Sequence, residues 1–198
     1  ILYSGAIQPR KNLVRLIEAF EILRGGGNNL KLVLAGEKAW LWESILDKAK
    51  NSPFKNDIII TGKLKFGDLS VLTQSAGVYA YPSLYEGFGM PILEAQSAGV
   101  PVVAGNNSSI PEIVKIPLGS PFTKGENSSL PLKKGEVERD FYSALLIDSN
   151  STGQIAEAVY KLISDQNLRD DIIKKGYENV KRFSWEKCAN ETLDWMKS

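Results

Sequence analysis

The sequence contains no histidine and a single cysteine, Cys188, among its 198 residues. Without histidine, the chain cannot hold within itself a Ser-His-Asp triad, a histidine acid/base pair or a histidine-ligated metal site. One cysteine cannot build a disulfide framework, which favours a reducing compartment and predicts a cytoplasmic protein. No apolar run in the sequence approaches the length that a bilayer-spanning helix needs.

An excess of charge of one sign is also missing. The chain has 24 lysine and arginine residues against 23 aspartate and glutamate residues, for a formal net charge of +1. Bulk electrostatics therefore do not indicate a nucleic-acid partner. The hydrophobic content of 43% and the charged content of 24% are ordinary for a globular domain.

Short apolar segments alternate with segments of helical periodicity, which is typical of a parallel α/β sheet. Asn12, Asp68 and Ser184 stand where helices are expected to begin, so each is a predicted N-cap. The expected fold is a doubly wound, Rossmann-like parallel sheet with helices on both faces and a ligand site at the carboxyl ends of the strands. Strands are predicted at residues 1–4, 30–35, 58–60, 78–81, 102–104 and 144–147.

The chain shows no internal repeat and no inter-domain linker, which predicts a single domain over residues 1–198. Residues 115 to about 142 are rich in Gly, Pro, Ser and Lys and lack periodicity, so we expect a loop insertion there. The first residues, Ile1-Leu2-Tyr3, already have the character of a buried strand. We therefore expect the chain to be part of a longer protein.

The most informative stretch runs from Tyr81 to Glu94 and reads YPSLYEGFGMPILE. It passes from the end of a predicted strand, through a glycine-bearing turn, into the start of a helix. The first turn of a helix leaves backbone N–H groups unpaired, and its dipole favours negative charge. Gly87 and Gly89 would let a ligand approach the backbone closely. The stretch therefore predicts an anion site suited to a phosphate.

Two carboxylates bracket this turn. Glu86 precedes it, and Glu94 is predicted in the first helical turn with its side chain leaning back over the site. Carboxylates accept hydrogen bonds from hydroxyls, so two of them beside a phosphate site suit a sugar nucleotide. The same residues could instead form a tight βα turn and a glutamate that complements the helix dipole.

The EGFGMPILE spacing resembles the paired-glutamate motif of the family 4 retaining glycosyltransferases, which have the two-domain GT-B fold. The resemblance extends over nearly the whole chain except roughly residues 115–142. It implies that the chain is the C-terminal, nucleotide-sugar-binding half of such an enzyme, with the N-terminal domain absent. The other segments that resemble the family are GAIQPRKN at 5–12, AQSAGVPVV at 95–103, SSIPEIV at 108–114 and FSWE at 183–186.

The resemblance implies roles for individual residues. Glu86 is expected to bind hydroxyls of the transferred sugar and to help place its anomeric carbon, and Glu94 to hold the ribose hydroxyls. Lys11, with Arg10 beside it, is expected to neutralise the departing diphosphate, since a fixed cation stabilises that growing charge where water is excluded. Glu86 and Lys11 are the expected catalytic residues. The expected donor-binding set is Gly5, Arg10, Lys11, Gly62, Lys63, Leu64, Glu86, Gly87, Phe88, Gly89, Met90, Pro91 and Glu94, with residues 62–64 as the base-contacting turn.

The same resemblance implies an activity for the whole enzyme in polysaccharide biosynthesis. It would transfer a hexose, with retention of configuration, to a glycan or lipid-linked acceptor bound mainly by the N-terminal domain. Neither a cofactor nor a metal is expected, and the isolated fragment is expected to be inactive. Segments 9–12 and 108–112 resemble mannosyltransferase-like members, which favours GDP-mannose as the donor. The expected location is the cytoplasm at the inner face of the membrane, with peripheral membrane contact by the full enzyme.

One departure from the family pattern keeps alternatives open. Many members carry an arginine directly after the first glycine, whereas this chain has Ala6. Diphosphate binding would then rest more on Arg10 and Lys11, or be weaker. A non-catalytic nucleotide-sugar-binding module stays open for this reason. A GT-B sugar phosphorylase also stays open, and it would show phosphate-dependent turnover of a disaccharide.

Overall fold

A parallel sheet of six strands forms the centre of the computed structural model, which describes residues 1–116 and 142–197. The strands are β1 (Leu2–Ser4), β2 (Leu32–Ala35), β3 (Ile58–Gly62), β4 (Tyr79–Tyr81), β5 (Val102–Gly105) and β6 (Leu145–Ile147). Their order across the sheet is β3-β2-β1-β4-β5-β6, and every neighbouring pair is parallel. The predicted doubly wound sheet is confirmed.

Helices cover both faces of the sheet. They are α1 (Leu13–Gly25), α2 (Glu43–Asn51), α3 (Phe66–Gln74), α4 (Met90–Ser97), α5 (Ile110–Val114), α6 (Thr152–Ser164), α7 (Gln166–Val180) and α8 (Trp185–Lys197). Helix α1 packs against α2 and α6, and α4 packs against α7. Within residues 1–116 and 142–197, none of these helices has the length and apolar character that crossing a membrane requires.

Central strands of a parallel sheet are buried on both faces, which explains their nearly continuous apolar sequences. Strands β1, β4 and β5 are buried at every residue. Strand β3 lies at the edge of the sheet, and there Ile59 is 40% exposed. The core therefore sits under the middle of the sheet, where β1 and β4 are neighbours.

Of the three predicted helix caps, Asn12 and Ser184 stand at the start of their helices, and Asp68 does not. Asn12 stands at the N-cap position of α1, but its side-chain amide donates to the carbonyl oxygens of Pro82 at 3.0 Å and Ser149 at 2.6 Å. The side-chain oxygen, which could cap the helix, instead accepts a hydrogen bond from Arg15 Nη1 at 3.0 Å. Asp68 lies inside α3, which begins before it. The cap at Ser184 is confirmed, because its Oγ accepts a backbone N–H of α8 at 3.0 Å.

The strand order reverses between β1 and β4. The chain first builds outward from β1 to β2 and β3, and then continues on the other side of β1 with β4, β5 and β6. Because all the strands are parallel, the loops after β1 and β4 leave the same edge of the sheet. In open α/β sheets, ligands bind in the crevice that this reversal creates. The fold therefore brings residues 5–12 and 82–89 together at that crevice.

The insertion predicted at about 115–142 lies outside the described residues except at its base. There Lys115 and Tyr142 form an isolated antiparallel bridge. Just beyond, the Ser143 backbone N–H donates to the Val114 carbonyl at 2.9 Å. The two ends of the segment therefore meet beside α5 and β6.

Gly36, directly after β2, lies against the backbone of Gly5, directly after β1. A Cβ atom at position 36 would stand 1.8 Å from the Gly5 carbonyl oxygen, so the backbone would have to move. We expect Gly36→Ala to lower the free energy of unfolding by about 3 kcal/mol or more. Urea denaturation measures this change.

Gly67→Ala provides the matched control. Gly67 lies in α3, and no atom outside its own helix lies near an added Cβ. Because alanine is the better helix former, this substitution is expected to raise the free energy of unfolding by up to about 1 kcal/mol. Equal effects of the two substitutions would contradict the close approach of Gly36 to Gly5.

Candidate functional site

A buried ion pair joins the loops that follow β1 and β4. The Lys11 Nζ atom donates to Glu86 Oε1 at 2.6 Å, and the two residues are only 8% and 7% exposed. A short 3-10 turn, Pro9–Lys11, places the lysine, with the proline at its first position. Arg10 lies farther out, with its Nη1 atom 3.9 Å from Glu86 Oε2 and its side chain 39% exposed. Lys11 is therefore the fixed cation, and Arg10 lies at the rim.

Two buried hydroxyls beside the pair were not predicted as site residues. The Tyr81 hydroxyl accepts a hydrogen bond from Lys11 Nζ at 3.3 Å. Ser83 is completely buried, and its Oγ has no hydrogen-bond partner of good geometry. No local pattern in the sequence marks either hydroxyl, because Tyr81 completes a buried strand and its partner Lys11 lies 70 residues away.

The Glu86 carboxylate is ionised at neutral pH. Burial would raise the pKa of Glu86, but the hydrogen bond from Lys11, the Lys11 charge and the Ser83 and Tyr81 hydroxyls together bring that pKa below its ordinary value. Although the Ser83 Oγ has no hydrogen bond of good geometry, it lies close enough to contribute to this shift. The site therefore holds a paired cation and anion.

The glycine turn leads directly into α4. Gly89 occupies the N-cap position with φ at 103°, a left-handed conformation that glycine adopts without strain. The helix then begins at Met90, with Pro91 in its first turn as predicted. The N-terminus of α4 lies at the carboxyl edge of the sheet, where the helix dipole favours an anion. Pro91 has no N–H to offer, and Ile92 donates its N–H to the Gly89 carbonyl oxygen at 3.0 Å.

Two serines from the loop between β5 and α5 hold this turn. The Ser108 Oγ accepts the backbone N–H of Glu86 at 3.0 Å. The Ser109 Oγ donates to the carbonyl oxygens of Glu86 at 3.0 Å and Phe88 at 3.3 Å. Both serines lie in the family-like segment 108–114, but no role was predicted for them, because their partners lie more than 20 residues away in the sequence.

Glu94 lies on the exposed side of α4. Its predicted place in the first helical turn is wrong, because the helix begins at Met90 and Glu94 follows that turn. Its side chain still leans toward the N-terminus of α4. Phe88 and Met90, at the same end of the helix, are 43% and 40% exposed. They give the crevice an apolar side.

The predicted base-contacting turn lies apart from the ion pair. Residues 62–64 run from the last residue of the edge strand β3 into the loop after it. They lie two strand spacings from β1, which corresponds to about 10 Å. Lys63 Nζ pairs with Glu37 Oε1 at 3.0 Å on the surface, and Leu64 packs against the core. The turn shares the carboxyl edge of the sheet with the pair, so only a ligand that extends along this edge could reach both.

A doubly wound sheet with a lysine and a helix N-terminus at the reversal of strand order is typical of nucleotide-binding α/β domains. The chain belongs to the glycosyl transferases group 1 family, whose model matches residues 1–116. The match runs from β1 through α5 and includes the whole site. The family resemblance noted from the sequence is confirmed.

Known proteins similar to this chain include enzymes and structures of the same fold. It is 30% identical over 197 residues to the O-antigen chain mannosyltransferase B of Escherichia coli, covering 99% of this chain and 45% of that protein. The chain thus spans less than half of that relative. Sucrose-phosphate synthase from Thermosynechococcus elongatus aligns with a TM-score of 0.77 at 22% identity, covering 99% of this chain and 44% of the other. The structure of Anabaena HepE in complex with UDP-glucose aligns with a TM-score of 0.75 at 16% identity, covering 99% of this chain and 48% of the other.

Lys11→Ala would leave Glu86 buried without its cation. We expect the free energy of unfolding at about pH 7 to fall by about 3–5 kcal/mol. The lowered pKa of Glu86 stabilises the wild-type fold above the ordinary carboxyl pKa, and this contribution is lost as the pH falls through the lowered value. In the variant, burial raises the pKa of Glu86 instead. The difference in the free energy of unfolding between the two proteins therefore shrinks as the pH falls. Urea denaturation at about pH 7 and about pH 4 checks both points.

Arg10→Ala is the control for this substitution. Because Arg10 is partly exposed and 3.9 Å from the carboxylate, its loss is expected to change the free energy of unfolding by less than about 1 kcal/mol. A Lys11→Ala effect as small as that of Arg10→Ala would show that the buried pair does not hold the two loops together.

Proposed function

We propose that this chain binds the nucleoside-diphosphate sugar donor of a glycosyltransferase. The Lys11–Glu86 pair, beside the N-terminus of α4 at the reversal of strand order, is the observation that supports this most strongly. A cation and a helix N-terminus suit a diphosphate, and an ionised carboxylate suits the hydroxyls of a sugar. The cation, the helix N-terminus and the carboxylate meet in one crevice, so a diphosphate and the sugar attached to it would bind there together.

In this proposal, Lys11 stabilises the leaving group. As the bond between the anomeric carbon and the diphosphate oxygen breaks, negative charge grows on the diphosphate. A buried, already positioned ammonium group stabilises that charge without having to reorganise. Glu86 remains ionised, so it accepts hydrogen bonds from the sugar and favours the positive charge that develops on the sugar ring.

The rest of the donor extends along the carboxyl edge of the sheet. The exposed carboxylate of Glu94 receives the ribose hydroxyls, and residues 62–64 contact the base. Lys11 and Arg10 supply the positive charge at the diphosphate, so we propose transfer without a metal ion. The whole enzyme would act in polysaccharide biosynthesis, on the cytoplasmic side of the membrane.

We propose a hexosyl transfer with retention of configuration, with GDP-mannose as the donor and a glycan or lipid-linked molecule as the acceptor. The 30% identity to the Escherichia coli mannosyltransferase supports the choice of mannose. The acceptor would bind mainly outside this chain, in the part of the enzyme that the chain does not span. This chain alone would then bind the donor and transfer nothing.

Calorimetric titration of this chain with GDP, UDP and ADP tests the proposal. We expect the tightest binding with GDP, in the micromolar to millimolar range, or about −8 to −4 kcal/mol. Glu94→Ala is expected to weaken that binding about ten- to a hundredfold, because a carboxylate that holds two hydroxyls is lost.

Asp47→Ala is the matched control for Glu94→Ala. Asp47 is an exposed carboxylate on α2, the same number of residues into its helix as Glu94 is into α4. Its loss is expected to leave nucleotide binding unchanged. If none of the three nucleotides binds, or if the two variants weaken binding equally, the donor site is not where we place it.

A further inference from the structure

Tyr81 ends strand β4 directly beneath the ion pair and is 1% exposed. Its ring stacks against those of Tyr3 and Tyr79, with a centroid separation of 6.3 Å to each. Two aromatic neighbours and complete burial leave the ring little freedom to turn. The position of its hydroxyl is therefore set by the core of the sheet.

This hydroxyl bonds to Lys11 and lies close enough to Glu86 to act on its carboxylate. Lys11 Nζ donates to the phenol oxygen at 3.3 Å and lies 5.3 Å from the ring centroid. A phenol has one proton to donate, and since Lys11 is the donor in that bond, the proton is available to Glu86. The Tyr81 hydroxyl indeed helps to lower the pKa of Glu86. Burial, and then the Glu86 charge, raise the pKa of Tyr81, so the phenol keeps its proton.

We propose that Tyr81 is a positioning residue for the donor sugar: its hydroxyl, held by the stacked rings and bonded to the lysine that pairs with Glu86, fixes the direction in which the Glu86 carboxylate faces the crevice. This inference rests on the proposed function, in which Glu86 binds the sugar and Lys11 the diphosphate. Tyr81 is buried below the pair and acts through Glu86.

The loss of the hydroxyl is expected to affect the two parts of the donor unequally. Lys11 would keep its shorter contact with Glu86, at 2.6 Å, and so its place beside the diphosphate. Glu86 would lose the one hydroxyl anchored by the stacked rings. Binding of the sugar should therefore weaken more than binding of the diphosphate.

Tyr79 provides a matched control within the same stack. It is equally buried at 1% exposed, and its ring contacts that of Tyr81. Its hydroxyl, however, bonds to Ser4, with 2.7 Å to the Oγ and 3.1 Å to the carbonyl oxygen. Tyr79→Phe thus removes the same chemical group from the same environment without touching the pair. Both phenylalanine variants keep the ring and are expected to fold.

The first test follows the Glu86 carboxyl carbon by NMR during an acid titration of the wild type, Tyr81→Phe and Tyr79→Phe. Arg10 and Lys11 remain near the carboxylate in all three proteins. We expect Tyr81→Phe to raise the pKa of Glu86 and Tyr79→Phe to leave it unchanged. An unchanged pKa in Tyr81→Phe, or an equal shift in both variants, would overturn the inference.

The second test compares GDP with GDP-mannose by calorimetry, or UDP with UDP-glucose if the wild type prefers uridine. Tyr81→Phe is expected to reduce the preference for the sugar-bearing ligand about three- to tenfold, the effect of one hydrogen bond. An equal loss for both ligands would overturn the positioning role. If the wild type binds no nucleotide, the proposed function fails. The Glu86 titration still decides whether the Tyr81 hydroxyl lowers the pKa of the carboxylate.

Discussion

The buried contact between Lys11 and Glu86 is the interaction on which the rest of the site depends. Removing two charges from water costs several kcal/mol per ion, on the order of what a close contact returns. The pair tolerates this burial because its contact is 2.6 Å long and because the Tyr81 hydroxyl lies beside it. Apolar residues would stabilise the same loops as well or better. We therefore interpret the pair as a functional feature, kept because a ligand can share both of its members.

The topology of the sheet explains how the pair forms. Its members are 75 residues apart in sequence, and they meet only because β1 and β4 are neighbours at the reversal of strand order. Asn12 then secures the crevice, since its amide binds the carbonyl oxygens of Pro82, after β4, and Ser149, after β6. The residue that was predicted as a helix cap thus fastens the loops of three strands.

The sheet was predictable and the internal contacts of the site were not. Apolar strands buried on both faces leave a pattern within a short window, so all six strands were predicted from the sequence, whereas their order across the sheet and the short helix α5 were not. Lys11 and Glu86 were predicted separately, as partners of different parts of a ligand, and their contact with each other was not foreseen. Tyr81 was missed for the same reason, because its partner Lys11 lies 70 residues away. Such contacts depend on which strands become neighbours, which no local pattern records.

Because Ala6 stands directly after Gly5, the positive charge beside Glu86 comes from Lys11 and Arg10. Arg10 is partly exposed, and its guanidinium is held at the rim by the Tyr85 carbonyl oxygen at 3.1 Å, so solvent and salt screen its charge. Lys11 is buried, where its charge is screened far less. A module that had only to retain a nucleotide could rely on exposed cations at the rim. Burying a cation beside a carboxylate costs more free energy than leaving it exposed. A buried and already positioned cation is suited to stabilise negative charge that develops during a reaction. The placement of Lys11 therefore favours an enzyme over a binding module.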